Sequence, residues 1–302
     1  MHKSPTRVAA ILLAVLVTFL WSTSWVLIKI GLRNDLPALS FAGLRYFTAF
    51  LCLIPFVLSN PTERAILRNL SGRDWIQLTW LGLLVVALAQ GAQFVSLAYL
   101  PAVMVSLLLN LSPVVVGWIS QARAHERPTS IQWAGILLSA VGTLIYFLPF
   151  TLPRQVAVLG FLAAFIGILS NAFATQLSRE INKQHHVSPL VVTFVSMGIG
   201  SPLLLLTGWL TGGLGHPTLN DWAIIGWMAV VNTALAFTMW NYIQRTLNAV
   251  ETSILNSLML PQIALLAWVF LGEEITLKGL LGLALVVAGT ILVQLRKKSS
   301  PS

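Results

Sequence analysis

The 302-residue chain is 57% hydrophobic and only 9% charged, with a mean hydropathy of +0.84. Soluble domains carry about 25% charged residues, so a water-soluble enzyme is excluded and the chain reads as an all-α integral membrane protein. The formal charge of +9 comes from basic residues set singly between apolar runs, which excludes a nucleic-acid-binding patch and fits anionic lipid headgroups instead.

Ten apolar stretches reach the ~20 residues that a membrane-crossing helix needs. The first, 8–31, has no short core followed by a small-residue cleavage site, so it is predicted to be a retained span. It carries Trp21, Ser22, Ser24 and Trp25, and spacings of three and four put Trp21 on one face with Ser24 and Trp25. Tryptophan at mid-span lies away from the interfacial belt, so these rings either line a cavity or pack against neighbours and lipid. The second span, 37–58, holds the only cysteine, Cys52, which leaves no disulfide frame and no cysteine metal site. It also holds Arg45, ~12 Å along the helix from Pro37. There the guanidinium either pairs with a solute carboxylate or bonds backbone carbonyls.

Span three, 74–98, presents Gln90 and Gln93 on one face. The short Tyr99-Leu100-Pro101 link leads to span four, 100–121, with Ser106, Asn110 and Ser112 ahead of Pro113. Proline removes a donor and crowds the carbonyl four residues back, so the Leu109 carbonyl is predicted to be freed for a solute ammonium or hydroxyl. Span five, 130–148, carries a stripe of small residues, Gly135, Ser139 and Gly142, suited to scaffold or dimer packing.

Span six, 156–178, contributes Asn171, Thr175 and Gln176; span seven, 189–211, ends near a single GxxxG match, Gly208 and Gly212. Span eight, 221–243, carries Asn232, Trp240 and Asn241. Span nine, 247–271, has Glu251 one turn in, then Asn256, Ser257, Pro261 and Gln262. Pro261 is predicted to free the Ser257 carbonyl, and Pro113 and Pro261 are predicted to be hinges. Glu251 is the only carboxylate clearly within a span; it either carries a coupling proton or sits in a first turn favoured by the helix N-terminus. The amides of these spans either line a cavity or tie helices together. Span ten, 276–295, repeats the small-residue stripe with Gly282 and Gly289.

A fixed offset of 147 residues runs through the chain. Leu100, Ala102, Val103 and Ser106 return as Leu247, Ala249, Val250 and Ser253; Glu126, Gly135, Gly142 and Thr143 return as Glu273, Gly282, Gly289 and Thr290. Asp74-Trp75 returns as Asp221-Trp222, and Pro113 matches Pro261 if one residue is inserted. Such self-similarity predicts two repeats, 1–150 and 151–302, meeting at an interface.

Of the 18 lysines and arginines, only Lys29, Arg33, Arg154 and Lys278 fall on the outer side when the N-terminus is inside, with Arg45 within a span. The other thirteen lie inside, so both termini are predicted to be cytoplasmic. Five spans per repeat is odd, which inverts the second repeat relative to the first. The motif agrees: Arg123, His125, Glu126 and Arg127 follow span four, whereas Gly272, Glu273 and Glu274 follow span nine. Inverted repeats with broken helices at mid-membrane are the architecture of alternating access.

The run Gly272-Glu273-Glu274-Ile275-Thr276, then Gly279, Gly282 and Gly289, resembles the signature of EamA-type transporters of the drug/metabolite transporter superfamily. Its weaker copy from Glu126 to Gly142, together with Trp21-Ser22 and Arg45, is similar to the same pattern, although Trp-Gly is more usual than Trp-Ser. The resemblance implies ten helices in two inverted five-helix repeats and export of small metabolites, amino acids among them, from bacterial cells.

Neither a P-loop nor an HExxH motif occurs, and no cluster of carboxylates or histidines shares one depth, so neither an enzyme nor a cofactor or metal site is expected. The expectation is a multi-pass transporter of the cell inner membrane that exports small polar or amphipathic metabolites, amino acids or relatives. An importer of the same fold, or a non-transporting scaffold or lipid-handling protein, is the alternative. The expected partners are a small-molecule solute, the bilayer and a second copy through spans five and ten.

Overall fold

A computed structural model describes residues 4–31, 36–100, 102–122, 127–147, 157–271 and 276–294. The two copies of the motif at 123–126 and 272–275, together with Pro101, Arg33 and Arg154, lie outside the described residues.

Every regular element among the described residues is helical, as expected where no water is present to satisfy backbone groups. α1 (Arg7–Gly31) and α2 (Ala38–Ser59) are followed by a short surface helix, α3 (Pro61–Arg68). α4 (Gly72–Gly82) runs through a π-helical segment, Leu83–Gln90, into α5 (Gly91–Tyr99). α6 (Ala102–Leu109), α7 (Ser112–Gln121) and α8 (Ser130–Phe147) complete the first half. The second half contains α9 (Ala157–Lys183), α10 (Pro189–Gly212) and α11 (Leu219–Trp227), then a π-helical segment, Met228–Leu235, continuing as α12 (Ala236–Ile243). α13 (Ala249–Asn256), α14 (Met259–Leu271) and α15 (Leu277–Gln294) end the fold.

Eight stretches of the described residues are long and apolar enough to cross a membrane, and Ser130–Tyr146 is a shorter apolar helix. The remaining expected span, four, is divided into α6 and α7. These helices make the chain a multi-pass membrane protein.

The 147-residue offset reappears in the elements themselves. Ser71 and Asp74 form a reciprocal capping box that starts α4, and Thr218 and Asp221 form the same box at α11. α6 stops at Leu109 and α13 at Asn256; α7 resumes at Ser112 and α14 at Met259. Both breaks lie ahead of the prolines. Pro113 occupies the first turn of α7, where its missing N–H leaves nothing unsatisfied, and Pro261 falls in the first turn of α14.

At the second break the expectation for Ser257 is corrected. Its carbonyl is not freed by Pro261, because the Leu260 N–H bonds it at 3.1 Å in a tightened turn.

Packing is mainly between the halves: α2 lies on α10, α8 on α15, α5 on α9, and α1 on α12 and α14. Small residues make the closest of these contacts. A Cβ on Gly135 would stand 2.6 Å from the Gly289 carbonyl oxygen, and one on Gly142 would stand 2.6 Å from that of Gly282. The stripe in spans five and ten is thus taken up within one chain. Gly208 and Gly212 are used similarly: a Cβ on Gly208 would stand 2.7 Å from the Ser40 backbone nitrogen of α2, and one on Gly212 would stand 2.9 Å from Pro37, which caps that helix.

Candidate functional site

The helices enclose a central cavity of about 190 Å³. Since one water needs only ~10–15 Å³ by this kind of measure, it has room for a small solute. α1 lines it with Trp21, Ser24 and Trp25, and α2 with Arg45 and Tyr46. Gln90 closes the first π segment and Gln93 follows one turn on; Ser106 and Asn110 come from the first helix break. α9 adds Asn171, Thr175 and Ser178, and α12 adds Phe237, Trp240 and Asn241, with Gln244 just beyond; α13 supplies Ser253 and Asn256.

Thirteen of the residues singled out in the sequence therefore share one space: Trp21, Ser24, Trp25, Arg45, Gln90, Gln93, Ser106, Asn110, Asn171, Thr175, Trp240, Asn241 and Asn256. Ser22, Asn232, Gln262, Glu251, Pro113 and Pro261 do not line it.

Each of the outlying polar side chains has a structural role. Ser22 is fully buried and donates to the Thr18 carbonyl at 2.7 Å and to Gln262 Oε1 at 3.1 Å, joining α1 to α14. Asn232 is fully buried in the second π segment; its Nδ2 donates to the Leu20 carbonyl, to Thr23 Oγ1 at 2.8 Å and to Ser24 Oγ at 3.0 Å. Glu251, 2% exposed, accepts the Asn248 N–H at 2.9 Å and pairs with Arg7 Nη1 at 2.6 Å. It closes a capping box and fastens the start of α1 to α13, outside the cavity. Gln176 likewise ties α9 to α7 through the Val116 carbonyl at 3.2 Å.

Arg45 is held by neutral groups. Its Nε donates to Thr233 Oγ1 at 2.8 Å, and its Nη2 to Ser24 Oγ and the Asn232 carbonyl, both at 3.4 Å. The guanidinium carbon lies 5.2 Å from the Tyr46 ring centroid, a cation–π distance. Among the described residues lining the cavity, Arg45 is the only charged one. Next to it runs an aromatic wall: Tyr46 edge-on to Phe237 at 6.0 Å, Phe237 against Trp21 at 5.2 Å, and Trp21 against Trp240 at 5.0 Å.

A second polar group centres on Ser178. Its hydroxyl donates to Asn241 Oδ1 at 2.9 Å and also contacts Gln244 Oε1, while Asn182 Nδ2 donates to the same Asn241 oxygen at 2.9 Å. Tyr46, Phe237, Ser178 and Gln244 were missed in the sequence. Phe237 is three residues before Trp240 and shares its helix face, which was a usable signal; Ser178 and Gln244 sit at span ends where polar residues carry no signal. Among the described residues no three His, Cys, Asp or Glu side chains gather as metal ligands. Apolar rings, one cation and neutral hydrogen-bonding groups equip this cavity for reversible binding.

By sequence, the chain is similar to known transporters. The profile of the EamA-like transporter family matches residues 8–148 and again 158–295. The "Uncharacterized transporter YvbV" of Bacillus subtilis (strain 168) is 27% identical over 309 residues, covering 99% of this chain and 95% of that one. An "Uncharacterized transporter" of Archaeoglobus fulgidus is 30% identical over 256 residues, 84% of this chain and 86% of its own. A "Probable amino-acid metabolite efflux pump" of Salmonella typhimurium (strain LT2) is 27% identical over 289 residues, 92% of each chain. One crystal structure superposes with a TM-score of 0.80 over 95% of this chain and 98% of its own; at 20% identity that likeness is of fold alone.

Proposed function

This chain belongs to the EamA-like transporter family, and from that premise we propose that it exports small polar or amphipathic metabolites, amino acids or relatives, across the cell inner membrane. The observation that carries this reading is the central cavity between the halves, lined by polar side chains from both. The efflux pump that resembles it supports the direction and the solute class. In this reading residues 1–150 and 151–302 are two inverted five-helix repeats, ten spans in all, with both termini cytoplasmic. The second half rocks against the first, and the breaks at 110–111 and 257–258 let half-helices tilt separately. A homodimer through spans five and ten would use their outward residues, such as Leu137, Leu144, Leu280 and Ile291, which are exposed.

The test is counterflow into vesicles reconstituted with purified protein, using a panel of labelled amino acids and related metabolites. Trans-stimulated uptake of one chemical class, lost in protein-free vesicles, is expected. Silence across the panel would remove the transport assignment for these solutes.

A further inference from the structure

The charge inventory of the cavity is unbalanced. Arg45 is 4% exposed, and no carboxylate is paired with it among the described residues. A guanidinium keeps its proton under all ordinary conditions, so neutralisation by deprotonation is closed to it. Thr233, Ser24 and the Asn232 carbonyl engage Nε and Nη2, and among the described residues no acceptor is bonded to Nη1 of this cavity-lining side chain. Those bonds fix the plane of the fork, and the Tyr46 ring fixes its height. A cation so oriented presents a ready donor to an anion and does not have to reorganise to bind it.

Beyond the cavity lining, further guanidinium groups are held by backbone carbonyls. Gln244 lines the cavity, and its carbonyl accepts from Arg179 Nη1. Its neighbour Arg245 donates through Nη2 to the Val187 carbonyl at 2.7 Å. Burial first, then the fields of Arg245 and Arg179, hold the loop imidazole of His185 below its usual range. Glu63, within the field of Arg245, offsets part of this charge.

Resting on the transport reading above, we propose that Arg45 is the specificity-determining residue of the cavity. It docks the anionic head, a carboxylate or its like, of a solute whose apolar ring-sized body lies along Tyr46, Phe237, Trp21 and Trp240. Net cations are rejected, because the cavity offers them no carboxylate.

Three probes of one shape test this in reconstituted vesicles: phenylpropanoate, its neutral carboxamide, and phenethylammonium. The acid is expected to exchange at least roughly tenfold better than the amide, the scale of one set of charged hydrogen bonds, and the cation not at all. Arg45→Lys should keep the acid first with a smaller margin, and Arg45→Gln should erase the difference between acid and amide. A merely structural arginine would lower all rates without changing their ratio. Should Arg45→Gln not fold, the wild-type series decides alone. Equal exchange of acid and amide, or preference for the cation, overturns the assignment while leaving transport intact. Silence from all three probes also overturns it, and bears on the transport reading only if the wider metabolite panel is silent as well.

Discussion

Trp21 and Arg45, on different helices, donate to the same backbone oxygen. The Trp21 indole reaches the Asn232 carbonyl at 3.0 Å and Arg45 Nη2 reaches it at 3.4 Å. That carbonyl belongs to the π-helical segment Met228–Leu235, where the wider turn re-aims backbone groups. The Asn232 side chain then pins the segment to α1 through Leu20, Thr23 and Ser24.

Asn232→Ala removes that pin without touching the cavity lining. It should lower stability by about 1–3 kcal/mol, read as a lower midpoint of thermal unfolding in detergent. Solute-induced stabilisation should shrink with it, because the shared carbonyl loses its position. An unchanged midpoint would mean that the three donor contacts contribute nothing.

The glycine seam between α8 and α15 predicts a sharp contrast. Gly142→Val places a branched side chain where even a Cβ lies 2.6 Å from the Gly282 carbonyl oxygen, and the peak of folded protein should be lost in size-exclusion chromatography. Gly226→Ala, with nothing within 4 Å of the added carbon, should elute as wild type. Equal behaviour of the two would refute the close contact.

Asn256 lines the cavity, and its Oδ1 is buried without a hydrogen-bond partner among the described residues. Replacing an unsatisfied amide by an apolar group of similar size carries little penalty. Asn256→Leu should therefore fold normally while exchange of polar solutes falls by roughly tenfold, the equivalent of one hydrogen bond. Misfolding in place of lost exchange would make Asn256 a structural residue.

Glu251 is engaged by Asn248 and Arg7 away from the cavity. Glu251→Gln should leave the pH profile of transport unchanged and reduce stability. Arg7→Gln should reduce it comparably, and the double variant by less than the sum of the two, since both remove one contact. A flattened pH profile in Glu251→Gln would instead identify a proton carrier.

The repeat in the sequence returned Asp74-Trp75 as Asp221-Trp222 and paired Pro113 with Pro261, but the capping boxes that these aspartates close with Ser71 and Thr218 became visible only in the structure. The prolines marked the breaks only to within a few residues. Pro113 and Pro261 start the second half-helix instead of kinking a continuous one, so no freed Ser257 carbonyl results.

Asn110 and Asn232 are the same residue type in similar apolar runs, yet one faces the cavity and the other is enclosed. What separates them is the partner helix, and near-uniform hydropathy around each span says nothing about partners. The pairing of α2 with α10 and of α8 with α15 was hidden for the same reason. Only the glycines hinted at close approach, without naming the opposite surface. Arg45 was legible as a buried cation, but its neutral company of Thr233, Ser24 and Tyr46 was not.

The pairing of helices across the halves also governs how the chain is made. Gly43 packs on Leu205, Gly82 on the Ser196 backbone and Gly135 on Gly289, so the earlier member of each pair leaves the ribosome long before the later one exists. The helices of the first half must wait in the bilayer with their grooves greased only by lipid until partners such as α10 and α15 are made. Nonsense mutations that remove α15 should therefore be as damaging as ones far upstream, because they strip Gly135 and Gly142 of the surface they pack on.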